Sequence, residues 1–273
     1  MLMSQASAAP LSIGEQRVEA ILDAAWSWLP PLLAAIGLVA LWQGIIWAFQ
    51  VPSYIAPEPL AVVQAFRENA WLLWVNFLPT FVEAMLGFLL GNVIAIFLAI
   101  WFVHNSMAER AFYPIAVFIK TIPILAVAPI LVLIFGNGYA PKIIIAALIC
   151  FFPTLVNMVR GLKAVSPATL ELMRILSASD VEIFRKVRIQ SSLPFLFAAL
   201  KIASSSCVIG AMVGEWVGSN FGLGALIIET TLNYRSPLLY AVVFTSAGLA
   251  VALFAIVSVA ERRLINWKTP EVH

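Results

Sequence analysis

The sequence predicts an all-α, polytopic membrane protein of about six spanning helices, and three observations predict it. Of its 273 residues, 62% are hydrophobic and only 11% are charged, whereas a soluble domain is about a quarter charged. Mean hydropathy is +0.98. The apolar residues fall in runs of roughly 20, long enough to cross a hydrocarbon core, and the runs do not alternate as strands would. A net charge of +2 offers no basic surface for nucleic acid. Cys150 and Cys207 lie inside apolar runs, without metal-ligand or disulfide-framework spacing. They read as small apolar residues.

Residues 1–25 carry Glu15, Arg17, Glu19 and Asp23 where a signal peptide would have its apolar core, so they read as a cytoplasmic tail. The first span covers about 26–50, with Pro30 and Pro31 near its start, where proline is tolerated. The second covers 77–103, with Glu83 its only charge. The third covers 111–135, with Lys120 its only charge, and Gly136, Asn137 and Gly138 end it. Asn137-Gly138 is a hairpin dipeptide, but its flanks are too long for strands. The fourth covers 141–159, the fifth 193–217 and the sixth, without charge, 237–260. The membrane domain thus occupies 26–260, and 261–273 form a second tail.

Basic residues between spans set the orientation. One side collects Arg17, Arg110, Arg160, Lys163, Arg174, Arg185, Lys186, Arg188, Lys201, Arg262, Arg263 and Lys268; the other has Arg67, Lys142 and Arg235. That split places both termini in the cytoplasm, in keeping with an even number of spans.

Residues 160–190 form one long, basic cytoplasmic loop that reads as two short helices. Ser166-Pro167 is a helix start, with a capping hydroxyl and then a proline in the first turn. Leu170, Met173, Ile175 and Leu176 give it an apolar face. Ser179 and Glu182 have capping-box spacing. Val181, Phe184 and Val187 then recur every three residues, with Arg185, Lys186 and Arg188 facing elsewhere. Such a loop can lie on anionic lipid or dock a protein.

Charges inside spans are costly and mark function. Glu83, Lys120 and Glu215 are the candidates. Glu83 and Lys120 pair directly if their spans tilt; otherwise Glu83 sits near the outer surface and Lys120 snorkels. Glu215, near the outer end of the fifth span, reads as a gate or rim residue. Asn92 and Asn157 suit interhelical hydrogen bonds, with Asn157 also a pathway candidate. Gly87 and Gly91, and Gly210, Gly214, Gly218 and Gly222, recur every four residues and read as close-packing faces. The stretch 218–224, flanked by Trp216 and Phe221, is an alternative gate.

Residues 171–194 resemble the "EAA" loop of ABC-transporter permeases. Glu171 matches its Glu, Ser177 stands at its Gly, Phe184, Arg185 and Val187 match its second helix, and Ile189 and Pro194 match an aliphatic position and a later proline. Leu172 and Met173 replace the two alanines, and Gln190 replaces the first proline. VPSYIAPEPLAVVQAF (51–66), GFLLGNVIAIFLAI (87–100), IPILAVAPILVLIFGNG (122–138), FFPTLVNMVRGL (151–162) and GEWVGSNFGLGALI (214–227) also resemble permeases of taurine, alkanesulfonate and nitrate importers.

The resemblance implies a type I ABC importer permease in a bacterial inner membrane. No Gly-x4-Gly-Lys-Ser/Thr phosphate loop occurs, and the resemblance puts ATP and Mg on separate cytoplasmic ATPase subunits; this chain is expected to bind no cofactor and to be no enzyme. It implies a second permease chain, identical or similar, and a periplasmic or lipoprotein solute-binding protein. Glu171, Ser177, Ser179, Phe184, Arg185 and Val187 would couple to the ATPase, with Phe184 leading the apolar face. Members of this group carry sulfonates, nitrate, bicarbonate or vitamin precursors. Glu83 and Glu215 oppose an anion where only Lys120 would favour it, which points to a small organic solute. A secondary transporter or channel is the alternative; it predicts internal repeats and interrupted helices in both halves, and the sequence has no convincing repeat. A membrane enzyme needs a catalytic cluster, yet His104 and His273 are far apart.

Overall fold

A computed structural model of the chain describes residues 13–265, without the side chains of 13–25, Ser27 and Trp28. Lys268, His273 and residues 1–12 of the expected N-terminal tail lie outside the described residues. Among the described residues, the regular elements are helices: α1 (Ile13–Phe49), α2 (Pro59–Glu68), α3 (Ala70–His104), α4 (Ser106–Thr121), α5 (Ile124–Phe135), α6 (Tyr139–Lys163), α7 (Pro167–Ile175), α8 (Asp180–Ile183), α9 (Ile189–Glu215), α10 (Leu223–Leu232) and α11 (Ser236–Leu264).

The core forms where small residues let backbones touch. Helix α6 lies between α3 and α9. A Cβ at Gly91 would stand 2.3 Å from the Ala147 carbonyl oxygen, one at Gly210 would stand 2.7 Å from Ala146 Cα, and one at Gly214 would stand 2.9 Å from Lys142 Cα. Ala84, Ala146, Cys150, Ala203, Cys207 and Ala211 fill this seam with no exposed surface. Lipid tails are as apolar as leucine, so close packing and interhelical hydrogen bonds, rather than escape from water, hold the helices together. Thr154 Oγ1 donates one such bond, 2.5 Å, to Asn92 Oδ1. The glycine repeat on α9 stops at Gly214. Gly218 (φ +74°) and Gly222 (φ +115°) lie in the following turn, in the left-handed region glycine allows.

Several predicted elements differ. Helix α1 starts well before residue 26 and carries Pro30 and Pro31 in its interior. The third span is not one helix: α4 and α5 meet at 97°. Ile122 and Pro123 there are extended, with ψ of 125° and 115°, because proline removes a donor and disfavours helix in the residue before it. The cytoplasmic loop is shorter than 160–190, since α6 runs to Lys163. Its second helix is not separate: α8, a wide π-type turn at Phe184–Arg188 and α9 run on without a break from Asp180 to Glu215. Two short helices, α2 and α10, lie at the end opposite the loop. There Val62 and Ala65 pack with Leu223, Leu226, Leu238 and Val242, and Ser236 Oγ donates to the Tyr54 carbonyl.

Candidate functional site

The loop end is built by capping. The Ser166 hydroxyl accepts the Thr169 N–H at 3.2 Å. Helix α7 closes in a Schellman turn, with Ser177 N–H bonding Arg174 O at 2.9 Å and Ala178 N–H bonding Met173 O at 3.0 Å. Ser177 adopts φ +56°, left-handed backbone at the position where the resembled family has glycine. The capping box at Ser179 is complete: Glu182 N–H reaches Ser179 Oγ at 3.3 Å and Ser179 N–H reaches Glu182 Oε2 at 3.0 Å. The Ser179 amide, then Lys186 at 3.2 Å, holds the Glu182 carboxyl below its ordinary range. Arg188 anchors the hairpin by donating to Leu162 O at 3.2 Å.

Phe184 does not lead the free face. Its ring meets His104 edge-on at 4.7 Å and packs on the Leu155–Leu162 side of the bundle. Val187 is half-buried and Arg185 exposed. The uncovered apolar side chains are Leu172 (55% exposed), Ile175 (79%), Leu176 (66%) and Val181 (64%). The first three share one face of α7 by their three- and four-residue spacing. Glu171 and Ser179 are exposed beside them.

The opposite end holds a polar network. Glu83 is wholly buried, and Lys142 Nζ lies 3.1 Å from its Oε1. The same ammonium donates to Ser219 Oγ at 2.7 Å. Glu215, 1% exposed, accepts from Thr80 Oγ1 and from the Gly224 N–H, each at 2.6 Å. Asn76 Oδ1 receives the Gly222 N–H at 2.9 Å, and Asn137 Nδ2 donates to Gly218 O at 2.6 Å. Helices α3, α6, α9 and α10, the α5–α6 loop and the 216–222 turn are thereby tied together. A Cβ on Gly222 would fall 2.0 Å from Glu215 Oε1, so only glycine lets the turn close on the carboxylate.

This geometry corrects three expectations. Glu83 pairs with Lys142 rather than Lys120, because the first turn of α6 points Lys142 inward from a position that read as outer loop. Glu215 is a buried anchor rather than a rim group. Among the described residues Asn157 makes no bond across helices; its Nδ2 donates to Pro153 O of its own helix at 2.8 Å. Trp216 and Phe221 stand on the turn, 42% and 61% exposed. A 240 Å³ cleft between Glu83, Lys142, Ser219 and Phe221 opens beside them. Sequence reasoning missed Lys142, Thr80 and Asn76. The available signal was Lys142 itself, a lysine inside the apolar run 141–159. Lys120 sits apart, on the last turn of α4, its ammonium 4.7 Å from the Phe152 ring centre.

Residues 91–266 match the family described as binding-protein-dependent transport system inner membrane component. A probable ABC transporter permease protein of Haemophilus influenzae is 36% identical over 226 residues, 83% of this chain and 92% of that protein. The formylaminopyrimidine transport permease protein ThiX of Halalkalibacterium halodurans is 33% identical over 241 residues, 88% of this chain and 96% of that protein. In fold, the chain is similar to one from the inward-facing MetNI methionine ABC transporter, with a TM-score of 0.58 at 21% identity over 73% of this chain and 97% of that one. The chain belongs to the binding-protein-dependent inner-membrane component family, as a permease of the ABC-importer type.

Proposed function

We propose that this permease forms the pathway for a small organic solute and is driven by a separate ATPase docked on the α7–α8 hairpin. The observation that carries the docking is the uncovered apolar patch of Leu172, Ile175, Leu176 and Val181 on a hairpin fixed by two helix caps and a Schellman turn. A preformed helix face costs little ordering when it enters a groove. Basic Arg174, Arg185 and Lys186 surround the patch and suit the cytoplasmic side, which puts both termini there. Glu171, Ser177 and Ser179 shape the hairpin, and Phe184 and Val187 relay its movement to the bundle. ATP and Mg belong to the partner. A second permease and an extracytoplasmic solute-binding protein complete the importer; the polar network beneath the 216–222 turn is the natural seat for the latter's effect. The translocation domain spans 26–260, between cytoplasmic tails at 1–25 and 261–273. ThiX, by its name a formylaminopyrimidine permease, supports an organic solute.

Ile175→Asp tests the docking, because a carboxylate cannot enter an apolar groove unpaired. The ATPase co-purifying with the permease is expected to fall at least about tenfold, roughly 1.4 kcal/mol, with yield and melting of the permease itself unchanged. Undiminished co-purification in both Ile175→Asp and Val181→Asp would falsify the assignment.

A further inference from the structure

The α7–α8 hairpin is seated on the bundle over a short stretch. Helix α7 buries none of its residues, whereas Ile183 is buried and Phe184 half-buried. Movement of the docking patch therefore enters the bundle through 183–188. Three connections leave that stretch. The chain itself continues into α9. Arg188 reaches α6 at the Leu162 carbonyl. The Phe184 ring reaches α3 at His104, edge-on with 4.7 Å between ring centres. Edge-to-face rings at that spacing attract beyond the area they bury.

This stretch is also where the long helix is least able to carry force unaided. Phe184–Arg188 form a π-type turn, in which the Ile189 N–H bonds the Phe184 carbonyl five residues back. Such turns are rare inserts in α-helices and collect at functional sites. The extra residue lets the two flanking pieces shift against each other, so an unbraced turn would absorb the hairpin's movement. The brace on the α3 side is itself fixed. Because a carbonyl only accepts, His104 Nδ1–H donates to the Ile100 carbonyl, at 2.8 Å, which sets the tautomer and orients the ring. Asn105 then caps α4, its Oδ1 accepting the Met107 and Ala108 N–H groups at 3.0 Å each, so the corner after His104 is held as well.

Helix α3 runs unbroken from Ala70 to His104 and carries Asn76, Thr80 and Glu83 towards its other end. Asn76 and Thr80 receive the Gly222 and Leu223 N–H groups, while Glu215 of α9 accepts from Thr80 and Gly224. The 216–222 turn thus hangs on two helices, α3 and α9, and both meet the hairpin at the same stretch. We propose that His104 is a positioning residue for the ATPase-driven movement: it braces Phe184 so that the hairpin shifts α3 in step with α9. The outer turn is then moved from both of its supports. The proposal rests on the permease reading and extends it to α3.

Asn220→Cys, on the exposed turn, reports the movement through its rate of labelling by a water-soluble maleimide. The native Cys150 and Cys207 are buried and do not compete. The sample is the permease–ATPase complex in lipid nanodiscs, with and without Mg and a non-hydrolysable ATP analogue. The nucleotide should change the rate at least about fivefold, the lower end of ordinary coupling between sites. His104→Ala and His104→Gln, which lack an aromatic ring, should remove most of that change, and His104→Phe, which restores one, should retain it. Permease melting and ATPase co-purification should hold steady in all three, since His104 is exposed and away from the docking patch. A role in stability alone would lower melting and leave the nucleotide response intact. An undiminished response in His104→Ala, or equal loss in His104→Phe, overturns the proposal. So does an Asn220→Cys parent complex whose rate ignores the nucleotide. The permease reading fails separately, if no ATPase co-purifies with the parent chain.

Discussion

Lys142 and Glu83 form a buried pair whose two members lie 59 positions apart in the chain (142 − 83). Burial makes the pair sensitive to loss of one partner rather than strongly stabilising in itself. Lys142→Met should strand the Glu83 carboxylate and cost about 3–5 kcal/mol. The double variant Glu83→Gln with Lys142→Met should recover most of that loss, and thermal unfolding in detergent checks both. Equal destabilisation by the single and double variants would show that the pair is not the cause. Glu83, Lys120 and Glu215 were legible as charges within apolar runs, but Lys142, which read as outer loop, and the pairings were not. Helix rotation decides which way a lysine in a first turn points, and local sequence carries no record of the facing helix. Glu215 shows the same limit: its burial depends on a turn folding back so that Gly222 and Gly224 meet its carboxylate.

At the scale of elements, helix starts and stops were the readable part. Ser166 and Ser179 cap as their spacing predicts, because a cap is a local bargain between one side chain and the first turn. The Ser179 box also carries a pH dependence. Burial plays little part in it: Glu182 titrates below its ordinary range because the Ser179 amide and Lys186 favour the carboxylate. A carboxyl depressed in the folded form contributes stability above its unfolded pKa and loses it as pH falls through the folded one. Hydrogen-exchange protection of the Ser179 amide should hold steady above the normal glutamate range and decay below it, and Glu182→Gln should flatten that profile. A protection profile indifferent to pH would rule the box out as its source. The broken third span was not readable in this way. Pro79, Pro114, Pro129, Pro153 and Pro194 all lie within continuous helices, because packed neighbours re-satisfy freed backbone groups in membranes. Only the surroundings single out Pro123 as the one that breaks.

Across the whole molecule, the spans came from length and hydropathy, and their arrangement came from the glycine seam around α6. Short α2 and α10 were hidden, since ten residues fall below the length that marks a crossing. The proposed orientation has a direct readout. Cys150 and Cys207 are fully buried, so introduced thiols report alone. A membrane-impermeant maleimide should label Asn220→Cys in intact right-side-out vesicles, and Ala168→Cys only after permeabilisation; the reverse pattern would invert the topology. The unbroken run Asp180–Glu215, 36 residues long, spans about 54 Å at 1.5 Å per residue. In the proposed mechanism it acts as a lever, with the proposed ATPase patch at one end and the Glu215 anchor at the other. By that length, a tilt of about 5° at the hairpin swings the far end by about 5 Å. On that proposal the stroke would be comparable to the width of a small solute and would reach the turn bearing Trp216 and Phe221.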